Sequence, residues 1–249
     1  MKQAHFRFYA ELNDLLPADK RQVTFMHPFP NRVSVKDMTE ALGVPHTEVD
    51  LILVNGESVD FSYRVQDGDR ISVYPVFESI DITPLVRLRP QPLREPRFVL
   101  DTHLGRLSRY LRMLGFDTLY RNDYADEELA QISSDERRIL LTRDPGLLKR
   151  SVVTHGHWIR ESDPQRQVRQ VLQRFDLFGV IAPFARCLRC NALLQPVRKQ
   201  DVLDRLPPMT KEVYDEFHIC SECGRVYWKG AHWNRLKQAV DAARRDAER

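Results

Sequence analysis

Long apolar runs are missing from this sequence. Across its 249 residues no stretch approaches the run of about 18 uncharged apolar residues that a membrane-crossing helix needs, so no membrane partner is expected. The opening residues, Met1 to Phe8, lack the apolar block of a secretory signal, and the chain reads as a soluble cytoplasmic protein. Cysteine is scarce, at four residues, which excludes a disulfide-built scaffold. Glycine is scarce too, with 10 in all and none between Gly68 and Gly105. The remainder is ordinary for folded domains, with 42% apolar and 29% charged residues. The length suits more than one domain.

Acidic residues lead at the front and basic ones behind. Residues 1–80 carry 8 Lys/Arg against 12 Asp/Glu (net −4), and residues 81–249 carry 30 against 23 (net +7), which together make the overall +3. A basic rear section favours a polyanionic partner, although an excess of this size is also common on solvated surfaces.

Over residues 1–80 the pattern predicts strands at 3–9 and 21–25, a helix from Val35 to Leu42 closed by Gly43, and a strand Leu51-Ile52-Leu53-Val54. That strand runs into Asn55-Gly56, a dipeptide suited to a tight turn. Asp67-Gly68-Asp69 marks another turn before a strand over Ile71 to Phe77. This order predicts a ubiquitin-like β-grasp domain. The spelling of residues 51–57 and 65–73 resembles the ubiquitin-like sulfur-carrier families of thiamine and molybdopterin synthesis. Those carriers work through a free Gly-Gly end, which this segment lacks, so a docking or regulatory module with a protein partner is expected instead. Residues 81–97 hold Pro84, Pro90, Pro92 and Pro96 among Arg87, Arg89, Arg94 and Arg97, and read as an extended linker.

From residue 98 to 182 short apolar strands alternate with helical stretches: strand 98–100, helix 104–115, strand 117–120, helix 126–137 and strand 139–142. Such alternation predicts a parallel sheet covered by helices, with function collecting beyond the carboxyl ends of the strands. Three acids fall at such positions: Asp101, Asp126 and Asp144. Gathered carboxylates repel one another unless a cation sits among them, and their hard oxygens suit Mg²⁺ or Mn²⁺. Each also has a plainer reading. Asp126 could be a helix N-cap, Asp144 before Pro145-Gly146 a turn residue, and Asp101 a cap of the next helix.

The stretch from Phe98 through Asp101 and Asp117, then Asp126-Glu127-Glu128-Leu129, then Arg138 to Asp144, resembles the Mut-seven C-terminal RNase family of PIN-like proteins. The likeness continues through Pro183 to Cys187 and Tyr227 to Gly230. It implies a PIN-type, metal-dependent ribonuclease, with Asp101 and Asp144 as metal-binding catalytic acids. Asp126 transfers with Asp123, Glu127 and Glu128 as close competitors. Glu161 and Asp163 stand where a fourth acid would fall, and Asp117 reads as a strand-entry residue.

On helix 104–115 the stripe Leu104, Leu107, Leu111 and Leu114 is the expected buried face, and Arg106, Arg109 and Arg112 are assigned to the opposite one. These arginines could hold RNA phosphates or form an ordinary solvated face. His103 could contact the scissile phosphate or be structural, and His155-Gly156-His157 reads as a loop entering a strand. The four cysteines form two pairs, Cys187-Leu188-Arg189-Cys190 and Cys220-Ser221-Glu222-Cys223, with 29 residues between. Two C-x-x-C knuckles predict a Cys₄ zinc ribbon over residues 183–249, ending in a charged helix. Tyr227, Trp228 and Trp233 beside the second knuckle suit either RNA stacking or core packing.

The expectation is therefore a multidomain α/β and α+β protein: β-grasp domain, PIN-like parallel-sheet domain and zinc ribbon. Its expected activity is metal-dependent cleavage of RNA. The rival is a non-catalytic RNA-binding adaptor that uses the zinc ribbon and the basic face.

Overall fold

A computed structural model describes residues 1–75 and 96–247. The predicted linker over 81–97, apart from its last two residues, and the end of the strand expected to reach Phe77 lie outside the described residues. Among the described residues no helix is long and apolar enough to cross a membrane.

The first unit comprises strands β1 (Lys2–Phe8) and β2 (Phe25–Phe29), helix α1 (Val35–Ala41), and strands β3 (Leu51–Val54), β4 (Glu57–Ser58) and β5 (Arg70–Tyr74). They form one mixed sheet in the order β2-β1-β5-β3-β4, with β1 and β5 parallel. Alternation in β1 sends Ala4, Phe6 and Phe8 into the core against Val35, Met38 and Ile52. Helix α1 starts where Ser34 Oγ accepts the Asp37 amide at 3.1 Å and stops at Gly43, whose φ of +114° few other residues tolerate. The second strand lies later than the expected 21–25. Gln22 takes a positive φ of 57°, and its amide donates to Asn13 Oδ1 at 2.6 Å, which holds that stretch in a turn.

The second unit comprises β6 (Phe98–Leu100), α2 (Gly105–Met113), β7 (Thr118–Tyr120), α3 (Asp126–Asp135), β8 (Ile139–Thr142), α4 (Pro145–Leu148), β9 (Gly156–Trp158) and α5 (Pro164–Arg174). Its four strands are all parallel, in the order β7-β6-β8-β9. Period-two alternation divides β6 and β8 between two cores. Phe98, Leu100, Ile139 and Leu141 meet α2 and α5 on one face, while Val99 and Leu140 meet α3 and α4 on the other.

The cysteine-bearing segment adds β10 (Leu194–Val197), α6 (Lys199–Val202), α7 (Pro208–Val213), β11 (Phe217–Cys220), β12 (Val226–Tyr227) and α8 (Ala231–Ala247). Strands β10, β11 and β12 form a three-stranded antiparallel sheet. Helix α8 corrects the expected grouping of the charged tail with the zinc ribbon. Leu236, Val240 and Ala243 are buried at helical spacing, and the first two join the α2–α5 core.

The ubiquitin-like unit docks on β9, the edge strand of the parallel sheet. Glu48 is 3% exposed and His157 1%, and Glu48 Oε2 lies 3.0 Å from His157 Nδ1. His46 Nε2 meets the Val153 carbonyl at 2.7 Å, and Arg160 pairs with Asp14 at 2.8 Å. Burial alone would raise the Glu48 pKa, but His157, Arg174 and the Trp158 amide hold it at about 2. A carboxyl depressed in this way adds stability above its ordinary range near 4.5 and loses it as pH falls toward 2. The Tm of the wild-type chain should therefore fall more steeply than that of Glu48→Gln between about pH 5 and about pH 3. Parallel slopes in thermal melts would refute the depressed carboxyl.

Candidate functional site

The chain enters the parallel sheet at β6, moves to β7 on one side, then crosses to β8 on the other. The loops after β6 and β8 therefore diverge, which opens a crevice at the carboxyl edge of the sheet. A cleft of about 480 Å³ occupies this place, lined among others by His103, Arg106, Arg109, Tyr120, Arg143 and Gln167. Its charged lining is entirely cationic or imidazole. Gly105 lets the start of α2 approach Tyr120, because a Cβ there would lie 2.6 Å from the tyrosine oxygen. That hydroxyl donates to the Thr102 carbonyl at 2.9 Å and ties β7 to the β6 loop.

Asp101, at the end of β6, is 7% exposed. Its Oδ2 accepts from Thr142 Oγ1 at 2.7 Å, and its Oδ1 from Thr102 Oγ1 at 3.1 Å. Thr142 Oγ1 also accepts the Asp144 amide at 2.9 Å. One hydroxyl at the end of β8 thus joins the Asp101 carboxylate to the Asp144 backbone. The Asp144 carboxylate caps α4 by accepting the Gly146 amide at 2.8 Å, where the plainer reading of that residue expected a turn. Asp101 makes no side-chain cap.

Asp126 is not an N-cap. Ala125 holds that position, while the Asp126 side chain is 53% exposed with Arg150 at 3.9 Å. Its neighbours are paired as well: Asp123 with Arg121 at 2.9 Å, Glu128 with Arg121 at 3.1 Å, and Glu127 with Arg150 at 2.9 Å. Asp163 caps α5 through the Gln165 and Arg166 amides, and Gln170 Oε1 accepts the Glu161 amide at 3.4 Å. Asp117 is structural. Burial would raise its pKa, but hydrogen bonds from Arg138 and Asn191 and the nearby Arg186 hold it below the usual carboxylate range.

Among the described residues, the side chains gathered closely enough for three or more to hold one metal ion are the four cysteines, whose ligand atoms all lie within 4.8 Å of one another. The three aspartates are not assembled in that way. Cys187 and Cys223 sulfurs are 3.5 Å apart, and those of Cys190 and Cys220 3.4 Å. A tetrahedral zinc ion with bonds of about 2.3 Å separates its sulfurs by roughly 3.8 Å, so the donor set fits such an ion. Asn191 and Gly224, both at φ 69°, turn the chain after each knuckle. Burial would raise the Cys187 thiol, but the Cys190 amide and Tyr227 hydroxyl bring it to about 6. Cys190 is pushed up to about 12, first by burial and then by its sulfur neighbours.

Arg112 departs from the expected RNA-binding face. Its guanidinium is buried and donates to the carbonyls of Thr118 at 2.9 Å, Leu188 at 3.1 Å and Arg189 at 2.9 Å. Successive helical residues turn by about 100°, so Arg112 is rotated about 120° from Arg106, and the three do not share one face. Arg106 and Arg109 are exposed and line the cleft. The aromatics near the second knuckle are packed rather than presented. Trp233 meets Phe184 at 5.4 Å, Trp228 meets Phe217 at 6.4 Å, and the Tyr227 hydroxyl lies 3.1 Å from the Cys187 sulfur. Thr142, Tyr120 and Arg143 were missed by the sequence reading. Only the place of Thr142 as the last residue of a strand, and of Arg143 between it and Asp144, could have flagged them.

Comparison with known proteins follows the same division. The model of the Mut7-C RNAse domain matches residues 96–240, more than half of the chain. The chain belongs to the Mut7-C RNase family. The Mut7-C ubiquitin model matches residues 1–81, which makes the first unit ubiquitin-like. Among solved structures, the crystal structure of H. volcanii small archaeal modifier protein 1 is similar at 19% identity, covering 30% of this chain and 98% of that one, with a TM-score of 0.25. No curated protein matches. The match across 96–240 includes Leu236 and Val240 of α8, in keeping with their burial in the core of the Mut7-C domain.

Arg112→Met should destabilise the Mut7-C domain by roughly 2–4 kcal/mol, because three carbonyls lose a buried charged donor. Arg106→Met and Arg109→Met should leave the Tm nearly unchanged. Equal melting of all three variants would return Arg112 to the solvated face.

Proposed function

We propose that this Mut7-C protein is a ribonuclease of PIN-like architecture that depends on Mg²⁺ or Mn²⁺ and cuts RNA phosphodiester bonds at the cleft between β6 and β8. The observation that carries the reading is the meeting of two features at one switch point: a lining rich in cations and two aspartates beside it, the carboxylate of Asp101 and the backbone of Asp144 being linked by Thr142. Cations alone would suit a passive binder. The acidic pair beside them favours hydrolysis over the adaptor reading.

Mg²⁺ is commonly held by one or two carboxylates, with waters and substrate phosphate oxygens completing its shell. Asp101 and Asp144 suit that arrangement without a preformed cage, and RNA would help to assemble it. Asp126, the third acid suggested by resemblance, would join by leaving Arg150. Bound there, the ion would supply Lewis acidity to the scissile phosphate. Arg106, Arg109 and Arg143 would hold phosphate oxygens and orient the backbone, with His103 beside them. Thr142 would fix the orientation of the Asp101 carboxylate. The four cysteines would hold one Zn²⁺ as a closed structural site, separate from the chemistry.

Asp101→Asn and Asp144→Asn should nearly abolish metal-dependent cleavage of RNA by the full chain while leaving its affinity for RNA intact. Thr142→Val should reduce turnover roughly 10–100-fold, as expected for a residue that orients a metal ligand. Wild-type turnover in either aspartate variant would place the site elsewhere. Binding without any cleavage by the wild-type protein in Mg²⁺ or Mn²⁺ would establish the adaptor reading.

Elemental analysis should find one zinc per chain, unaffected by Asp101→Asn. Cys187→Ser combined with Cys220→Ser should lose the zinc and unfold the β10–β12 module. Full zinc occupancy in that double variant would rule out the Cys₄ site.

A further inference from the structure

We infer that the ubiquitin-like domain is a built-in support of the cleft, and that Glu48 acts as a positioning residue for Arg143. The inference rests on the reading of the cleft as an RNA site. Among the described residues strand β9 is an edge of the parallel sheet, and no further strand there pairs with the Trp158 amide. Glu48 Oε1 accepts that amide at 2.5 Å and takes His157 Nδ1 at 3.1 Å, with Oε2 at 3.0 Å. Gln170 Oε1 accepts the amides of Arg160 and Glu161, which turns Gln170 Nε2 toward the Trp158 carbonyl and His157 Nε2, both at 2.8 Å. His157 Nε2 therefore accepts, and Nδ1 carries the hydrogen that points to Glu48.

From Trp158 the connection runs straight to the cleft. Its indole Nε1 donates to the Arg143 carbonyl at 3.3 Å. Arg143 lines the cleft and stands between Thr142, which holds Asp101, and Asp144. The ubiquitin-like domain grips Trp158 a second time through Arg160, which lies 5.8 Å from the indole centroid and pairs with Asp14.

The energetics favour a positioning role. Burying a carboxylate between domains carries a desolvation cost that an apolar contact would avoid, and here the bonds from His157 and the Trp158 amide offset it. What it supplies is orientation, since both oxygens are satisfied in a single docking geometry. An apolar contact would have permitted many. Glu48 thus fixes β9, β9 fixes the Trp158 ring, and the ring fixes the backbone at Arg143.

The test is a double-mutant cycle in the full chain, read as affinity for a non-cleavable RNA so that nothing is cut and the cysteine site keeps its zinc. Glu48→Gln keeps the volume but turns a donor toward His157, and should weaken binding about 3–10-fold. The loss should overlap with that of Arg143→Ala, the double variant binding no worse than Arg143→Ala alone. It should add to the loss from Arg109→Ala, which has no tie to Trp158. Full additivity with Arg143→Ala would overturn the inference.

A second readout needs no RNA: in NMR spectra the Trp158 indole and Arg143 amide resonances should move in Glu48→Gln, and unmoved resonances would overturn it equally. If the wild-type chain bound no RNA, the reading of the cleft would fail, while these resonances would still decide the link from Glu48 to Arg143. Should Glu48→Gln not fold, Trp158→Phe removes the indole bond to Arg143 together with part of the ring, and must reproduce the loss of affinity. An unchanged affinity there would reject the inference.

Discussion

A four-stranded parallel sheet must have both faces and both edges covered, and the rest of this molecule follows from that constraint. Helices α2, α5 and α8 cover one face and α3 and α4 the other. The edges are closed by the other two modules in similar ways. At β7 the Thr118 amide is accepted by Asn191 Oδ1 of the first cysteine knuckle at 3.0 Å. At β9 the Trp158 amide is accepted by Glu48 of the ubiquitin-like domain. A single polar side chain from each flanking module thus occupies a donor that would otherwise stand open at an edge. In this way three units become one scaffold around a central sheet.

Among the described residues the carboxyl edge of the sheet is left open, and that is where charge collects. Arg106 and Arg109 are exposed on the first turns of α2, Arg143 follows β8, and Asp101 and Asp144 are tied by Thr142. In the proposed function the cations gathered there would hold a polyanion. In the proposed reaction the aspartates beside them would hold the divalent ion that meets the phosphate. Both edge modules act on this region from behind: Arg112 anchors the cysteine knuckle to the α2–β7 connection, and Trp158 relays the docking of Glu48 to Arg143.

Local patterns made much of this legible. The apolar runs at 98–100 and 139–142 are buried on both faces, so they read as central strands. The paired cysteines carry their chemistry in their spacing, and their sulfurs do meet. Arg112 was misplaced because spacing in steps of three drifts round a helix, and only the carbonyls of residues 188 and 189 show where it points. Helix α8 looks like a charged tail in the sequence because three buried positions among residues 231–245 give a faint stripe. Glu48 carried no signal at all, since its partners lie 109 and 110 residues away. Asp126 fell one residue past the cap, a shift that propensity does not resolve.

The central claim is that RNA and a divalent ion meet at the ends of β6 and β8. Mn²⁺ titrated into the labelled full chain with a non-cleavable RNA tests it most directly, because the ion broadens the resonances of residues close to it. The account predicts that the amides of Asp101, Thr142 and Asp144 are lost first, and only when RNA is present at low ion concentration. Broadening centred on another region, or none near these three residues at saturating RNA, would contradict it.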